Sequence, residues 1–163
     1  MPATNSLSIR RFSKNDLSPL CNLISETIEK CYTEIYPPKA VRFFIAYHAP
    51  ENILRDAAVG IVLVGWLGGT PMATATLANN YVCRVFVHPQ CQGQGFGKEM
   101  SDAIERLAID KSIDKLELDA SLTSRRFWER LGWRVTANEL EIVDDEPLEY
   151  YKMMKILVNS KSV

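Results

Sequence analysis

One stretch constrains this chain more than any other, residues 82–98, VCRVFVHPQCQGQGFGK. It opens as a short apolar strand carrying Val82, Val85, Phe86 and Val87, which His88-Pro89 stops. A loop with alternating glycines follows, at Gly93, Gly95 and Gly97. From Phe96 an apolar stripe runs at helical spacing through Met100, Ala103, Ile104, Leu107 and Ala108. A strand that passes through a glycine loop into a helix leaves the N–H groups of the first turn without partners, at the positive end of the helix dipole. Such a terminus suits a phosphate or diphosphate, and glycines let the backbone approach the anion through turns that a Cβ forbids.

Spacing separates the glycine-loop chemistries. A phosphate-binding loop of the form GxxxxGK[ST] fails twice, because Glu99 follows Gly97-Lys98 and Gln92 stands at the first glycine. The dinucleotide pattern GxGxxG fails at Lys98, and the strand before it lies mid-chain rather than near a nucleotide-binding start. What remains, Gln92-Gly93-Gln94-Gly95-Phe96-Gly97, resembles the Q/R-x-x-G-x-G/A signature of the GNAT superfamily, the acetyl-CoA-dependent N-acetyltransferases. The register Gln90-x-x-Gly93-x-Gly95 also satisfies it; the later one sets the last glycine at the helix start. A second segment, Ser121-Leu122-Thr123-Ser124-Arg125-Arg126-Phe127-Trp128-Glu129-Arg130-Leu131-Gly132-Trp133, resembles the family's N-x-x-A-x-x-F-Y-x-x-x-G-F. The glycine and aromatics match in type and spacing. Ser121 stands where Asn is common, Ser124 where Ala is common and Trp128 where Tyr is common.

Length and composition bound the rest. A chain of 163 residues buries roughly 70% of its unfolded surface, enough for one domain, expected over residues 7–158. Net charge is −1 with no basic block, which gives no electrostatic reason to expect nucleic acid. Cys21, Cys31, Cys83 and Cys91 show neither CxxC nor metal-ligand spacing, so reduced thiols and no metal are expected. The N-terminal MPATNSLSIRRF lacks a signal peptide's apolar core and no apolar run is long enough to span a bilayer, so a soluble cytoplasmic protein is expected.

Along the chain, residues 7–12 read as a first strand, and a helix begins after Lys14-Asn15-Asp16 and ends at Tyr36-Pro37-Pro38. A second helix over 40–48 stops at Pro50, and 51–57 adds a turn or short helix. Residues 60–67 form a continuous apolar run of strand length, expected to be buried on both faces. Gly68-Gly69 turns it into a hairpin arm at 72–77, and Ala78-Asn79-Asn80 leads into the strand at 81–87. A strand at 113–118, a short helix at 125–131 stopped by Gly132, and strands at 133–143 and 148–158 complete the chain. The acidic turn Asp144-Asp145-Glu146-Pro147 joins the last two. This order, β-α-α-β-β-β-α-β-α-β-β, implies an α/β mixed sheet with helices on both faces. It resembles the GNAT fold, a mostly antiparallel sheet of six to seven strands with about four helices.

The resemblance implies transfer of an acetyl group from acetyl-CoA, as co-substrate, to an amine by direct attack on the thioester. Gln92, Gly93, Gln94, Gly95, Phe96, Gly97 and Lys98 would hold the diphosphate through the backbone. Phe86 and Val87 would hold the pantetheine arm through theirs, and Ser121 and Ser124 would flank it. Lys98 either adds charge beside the phosphates or is a solvated helix-start lysine. Trp128 either packs in the core or sits at the thioester, where an indole N–H is too weak an acid to replace the family's tyrosine. Alternation places Tyr81, Cys83, Val85 and Val87 on one strand face, where family members often carry a glutamate base. Tyr81 and Cys83 are therefore the candidate catalytic side chains, although neither is a ready base at neutral pH. Water, Glu34 or Asp119 are the other routes for the proton. Tyr32, Glu34, Tyr36, Tyr150 and Tyr151 are candidates to contact the acceptor, a primary amine of a small molecule or peptide. Oligomeric state stays open, a homodimer included. The missing tyrosine and glutamate also fit an acyl-CoA-binding sensor that lost catalysis, or, less well, a nucleotide-binding regulator.

Overall fold

Apolar runs of strand length pair into one seven-stranded sheet. The structure, a computed structural model, describes residues 6–158. Its strands are β1 (Ser8–Arg11), β2 (Ile61–Leu67), β3 (Thr70–Ala78), β4 (Tyr81–Val87), β5 (Lys115–Ala120), β6 (Arg134–Val143) and β7 (Glu146–Ile156). They lie in the order β1-β2-β3-β4-β5-β7-β6. All neighbours are antiparallel except β4 and β5. Among the described residues five α-helices flank the sheet: α1 (Leu17–Tyr32), α2 (Pro38–Tyr47), α3 (Pro50–Val59), α4 (Phe96–Asp110) and α5 (Arg125–Arg130).

The sheet separates two apolar clusters. On one face Leu63, Ala73, Ala75 and Leu77 pack against Phe96, Met100, Ile104 and Ala108 of α4. On the other, Val62, Val64 and Phe86 pack against Leu20, Ile24 and Ile28 of α1, Ala40 and Val41 of α2 and Ile53 of α3. The IVLV run of β2 thus feeds both faces, as its unbroken apolar character requires. Ile104 and Met100 are at most 1% exposed, so truncating either to alanine costs about 2–5 kcal/mol.

Three boundaries differ from the sequence expectations, each for a local reason. The first helix ends at Tyr32, four residues before Tyr36, and Pro38 begins α2 instead of following α1. Pro50 likewise opens α3, a full ten-residue helix where a turn or short helix was expected. At the first helical position proline lacks an N–H that would be unsatisfied anyway, so it starts these helices. The β6–β7 connection is the two-residue Asp144-Asp145, both at positive φ (49° and 67°), with Val143 paired to Glu146. Positive φ at both central residues matches the twist of the flanking strands, which keeps the hairpin tight.

Candidate functional site

The parallel strands β4 and β5 meet at a single pair, Tyr81 opposite Glu117, and then diverge. Beyond that point the β4 edge faces a cavity of about 900 Å³. A bulge sharpens the divergence. Thr74 pairs with Phe86 and Thr76 with Cys83, so Arg84 and Val85 share the space opposite Ala75, and Arg84 sits at φ 53°. Extra residues of this kind re-aim side chains. Here the bulge overturns the expected alternation: Val82, Val85 and Val87 pack on the α4 side, while Phe86 packs on the α1–α3 side. Tyr81 and Cys83 therefore share their face with Phe86 and not with Val85 and Val87.

The glycine loop closes one end of the cavity. Gly93 and Gly95 have φ of 77° and 86°, and no atom lies within 4 Å of where a Cβ would stand on either. Those angles belong to glycine, and the space before them is open. The first intrahelical bond of α4 runs from the Glu99 N–H to the Gly95 carbonyl at 3.0 Å. The N–H groups of Phe96, Gly97 and Lys98 precede it and have no intrahelical acceptor. At Gly97 a Cβ would lie 2.9 Å from the Phe127 ring, so glycine lets the loop pack on α5. The Gln92 amide donates to the Val87 carbonyl at 3.1 Å, and the Gln94 amide reaches the Gln90 carbonyl at 3.3 Å, away from the cavity wall. Lys98 pairs with Asp102 at 2.7 Å at the mouth. His88 accepts from the Gln90 N–H at 3.2 Å through Nδ1 and meets Glu26 through Nε2 at 3.3 Å, so it fixes the turn into the loop.

The segment opposite the loop is ordered by its own hydrogen bonds. The Ser121 hydroxyl lies 3.0 Å from the Ser124 hydroxyl, which in turn reaches the Ser121 carbonyl at 3.2 Å. Helix α5 ends with the Gly132 N–H on the Glu129 carbonyl and the Trp133 N–H on the Trp128 carbonyl, both at 3.1 Å, with Gly132 at φ 90°. This pair of bonds is the Schellman arrangement, and Trp128 and Trp133 supply its apolar contact with rings 5.4 Å apart. Trp128 is 5% exposed; it packs in the core and also lines the cavity. The Tyr36 hydroxyl donates to the Glu149 carbonyl at 3.1 Å and accepts from the Leu122 N–H at 2.9 Å, tying β7 to this segment.

The structure thus brings Tyr81, Cys83, Phe86, Val87, Gln92, Gly93, Gly95, Phe96, Gly97, Lys98, Ser121, Ser124 and Trp128 to one cavity, with Gln94 outside its wall. Of the acceptor candidates, Tyr32 and Tyr150 reach it. Glu34 is exposed outside it, and Tyr151 instead lies under the Arg125 guanidinium at 4.8 Å.

Burial sets the protonation of the cavity wall. It pushes the Cys83 thiol up to about 11 and the Tyr32 phenol to about 12. Burial, then the Asp119 carboxylate, raises Tyr81 far above the usual phenol value. Neither Tyr81 nor Cys83 is therefore a base at neutral pH. Burial, with the Arg84 charge second, drives His48 down to about 3, so its imidazole is neutral. The Arg84 Nε donates to its Nδ1 at 3.1 Å, and the Arg84 Nη1 binds Asp56 at 2.8 Å. Sequence reasoning missed this network, because it joins α3, the end of α2 and the bulge of β4. Among the described residues the carboxylates on the wall are Asp119 and Glu141. Among the described residues no cluster of three or more His, Cys, Asp or Glu could hold a metal, and no helix is long and apolar enough to cross a membrane.

Comparison with known proteins places this arrangement. A family profile described as an acetyltransferase (GNAT) domain matches residues 25–157. The uncharacterized N-acetyltransferase YafP of Escherichia coli K12 is 23% identical over 135 residues, which is 83% of this chain and 86% of that protein. A GCN5-related N-acetyltransferase from Rhodopseudomonas palustris superposes with a TM-score of 0.85 at 21% identity, covering 93% of this chain and 96% of the other. PaiA N-acetyltransferase from Thermoplasma acidophilum, solved with coenzyme A, superposes at 0.75 with 19% identity, covering 93% and 99%. YncA from Salmonella typhimurium, solved with acetyl-CoA, superposes at 0.69 with 18% identity, covering 96% and 97%.

Proposed function

The chain belongs to the GNAT acetyltransferase family, and from that premise we propose that it moves the acetyl group of acetyl-CoA to a primary amine. The observation that carries this reading is the single pair joining β4 to β5, which leaves the β4 edge open beside a glycine loop with free space before it. Two structural relatives were solved with coenzyme A or acetyl-CoA, which supports the same ligand here. The donor set fits it: main-chain N–H groups at a helix start for a diphosphate, and an unpaired strand edge for an amide-bearing arm. When bound, acetyl-CoA supplies an activated acyl group as a thioester.

The chain's own residues do the rest. Phe96, Gly97 and Lys98 present their N–H groups to the diphosphate, with Gly93 and Gly95 giving access. Phe86 and Val87 offer backbone to the arm, and Ser121 and Ser124 border it across the gap. Asp119 takes the acceptor's proton, directly or through one water, and passes it to solvent from its exposed position at the end of β5. Tyr81, kept protonated beside Asp119, holds that carboxylate in place.

Release of free thiol from acetyl-CoA against a broad amine panel tests this. Asp119→Asn is expected to lower kcat/KM by about 10²-fold with coenzyme affinity unchanged. Tight coenzyme binding with no thiol released by any amine would overturn transfer and favour the sensor reading.

A further inference from the structure

The cavity wall away from the glycine loop is built of aromatic rings. Six of them close a circuit of contacts: Tyr47 to His48 at 5.1 Å, His48 to Phe86 at 5.0 Å, Phe86 to Tyr32 at 6.5 Å, Tyr32 to Phe44 at 5.1 Å, Phe44 to Phe43 at 6.2 Å and Phe43 back to Tyr47 at 6.1 Å. All six line the cavity. Their separations lie in the range of edge-to-face and offset packing, so each ring is held by two others and offers a fixed face.

Charge is distributed unevenly over the same wall. Asp119 and Glu141 supply carboxylates, and the Tyr150 hydroxyl donates to Glu141 at 2.9 Å. Among the described residues the cations on the wall are Lys98, at the glycine loop, and Arg84. Arg84 gives its Nη1 to Asp56 and its Nε to His48, its side chain is 1% exposed, and the Asp56 carboxylate at 2.8 Å balances its charge. His48 is neutral at neutral pH.

We propose that the acceptor is a primary amine carried on an aromatic or similarly flat apolar body that bears no anionic group. This rests on the acetyl-transfer reading above and specifies its substrate. An ammonium is drawn in by two carboxylates and by ring faces. A flat apolar body covers the ring wall and releases its water. A hydroxyl-rich body would lose hydrogen bonds to water without finding replacements, and a carboxylate would meet like charge. In the reaction the amine loses its proton through Asp119 to solvent. Its nitrogen then bonds to the acetyl carbonyl carbon and sheds its second proton, while the C–S bond breaks and sulfur leaves with the electron pair and takes that proton up.

The test compares 2-phenylethylamine, phenylalanine, 1,4-diaminobutane and an aminoglycoside, by thiol release and by calorimetric binding to the CoA-saturated protein. Phenylethylamine is expected to exceed diaminobutane in kcat/KM by about tenfold or more and phenylalanine by about 10²-fold, and to bind with measurable heat. Tyr47→Ala, at a ring 48% exposed, is expected to weaken phenylethylamine binding several-fold and leave CoA affinity unchanged. Glu141→Gln is expected to narrow the lead over phenylalanine. Preferential acetylation of diaminobutane, the aminoglycoside or phenylalanine would overturn the substrate class alone. Thiol release by no amine, with CoA bound, would overturn it together with the transfer reading.

Discussion

Arg84 puts a cation inside the sheet at a left-handed backbone position, and two partners keep it there. Asp56 binds its Nη1 and His48 accepts from its Nε. A buried ion pair adds little net stability over an apolar replacement, yet removing one partner strands the other. Asp56→Ala is therefore expected to cost about 3–5 kcal/mol in urea unfolding, and a cost under 1 kcal/mol would show the pair to be dispensable. His48 answers to pH. Its folded value of about 3 lies below the ordinary imidazole value of 6.5, because burial and Arg84 disfavour the imidazolium. Between those values the unfolded chain binds the proton and the folded chain does not, so stability rises with pH up to about 6.5 and is lost as pH falls. Between pH 7 and pH 5 the loss is on the order of 2 kcal/mol. Unfolding at the two pH values should show it in the native protein and not in His48→Gln; equal slopes in both would contradict it.

At the scale of elements, the ends are set by chemistry more than by apolar periodicity. Pro38 and Pro50 each open a helix, and Gly132 closes one. The α5 terminus has two carbonyls satisfied by the N–H groups of Gly132 and Trp133, which holds only while residue 132 keeps φ near 90°. Gly132→Ala is expected to cost about 1 kcal/mol, read as a lower urea midpoint at unchanged slope. A neutral result would mean that the left-handed cap is not needed to seat Trp128 against Trp133. The prolines show why the sequence predicts only a turn or short helix where α3 forms. A proline marks a helix start and a helix stop equally well, and residues 49–60 carry no cap side chain to decide between them.

For the whole molecule, the sequence was most legible where chemistry is local. The strand, glycine loop and helix over 82–98 lie together in the chain, and α4 starts at Phe96 and buries Met100, Ala103, Ile104 and Ala108 of its expected stripe. The bulge at Arg84 was not legible, since one extra residue in a strand of ordinary composition leaves no glycine or proline to mark it. Nor was the ring wall, because Tyr32, Phe44, Tyr47 and Phe86 come from three elements that meet only after α2 docks on the sheet. The insertion of β7 between β5 and β6 was likewise invisible to pattern, being a choice of pairing partners. The central claim is that main-chain amides at the start of α4, reached through Gly93 and Gly95, grip the diphosphate of coenzyme A. Calorimetric titration with CoA tests it most directly, on the native protein and on Gly95→Val checked for folding by its Tm. The account predicts binding by the native protein and at least about tenfold weaker binding by the folded variant; no heat at millimolar CoA, or equal affinity in both proteins, would contradict it.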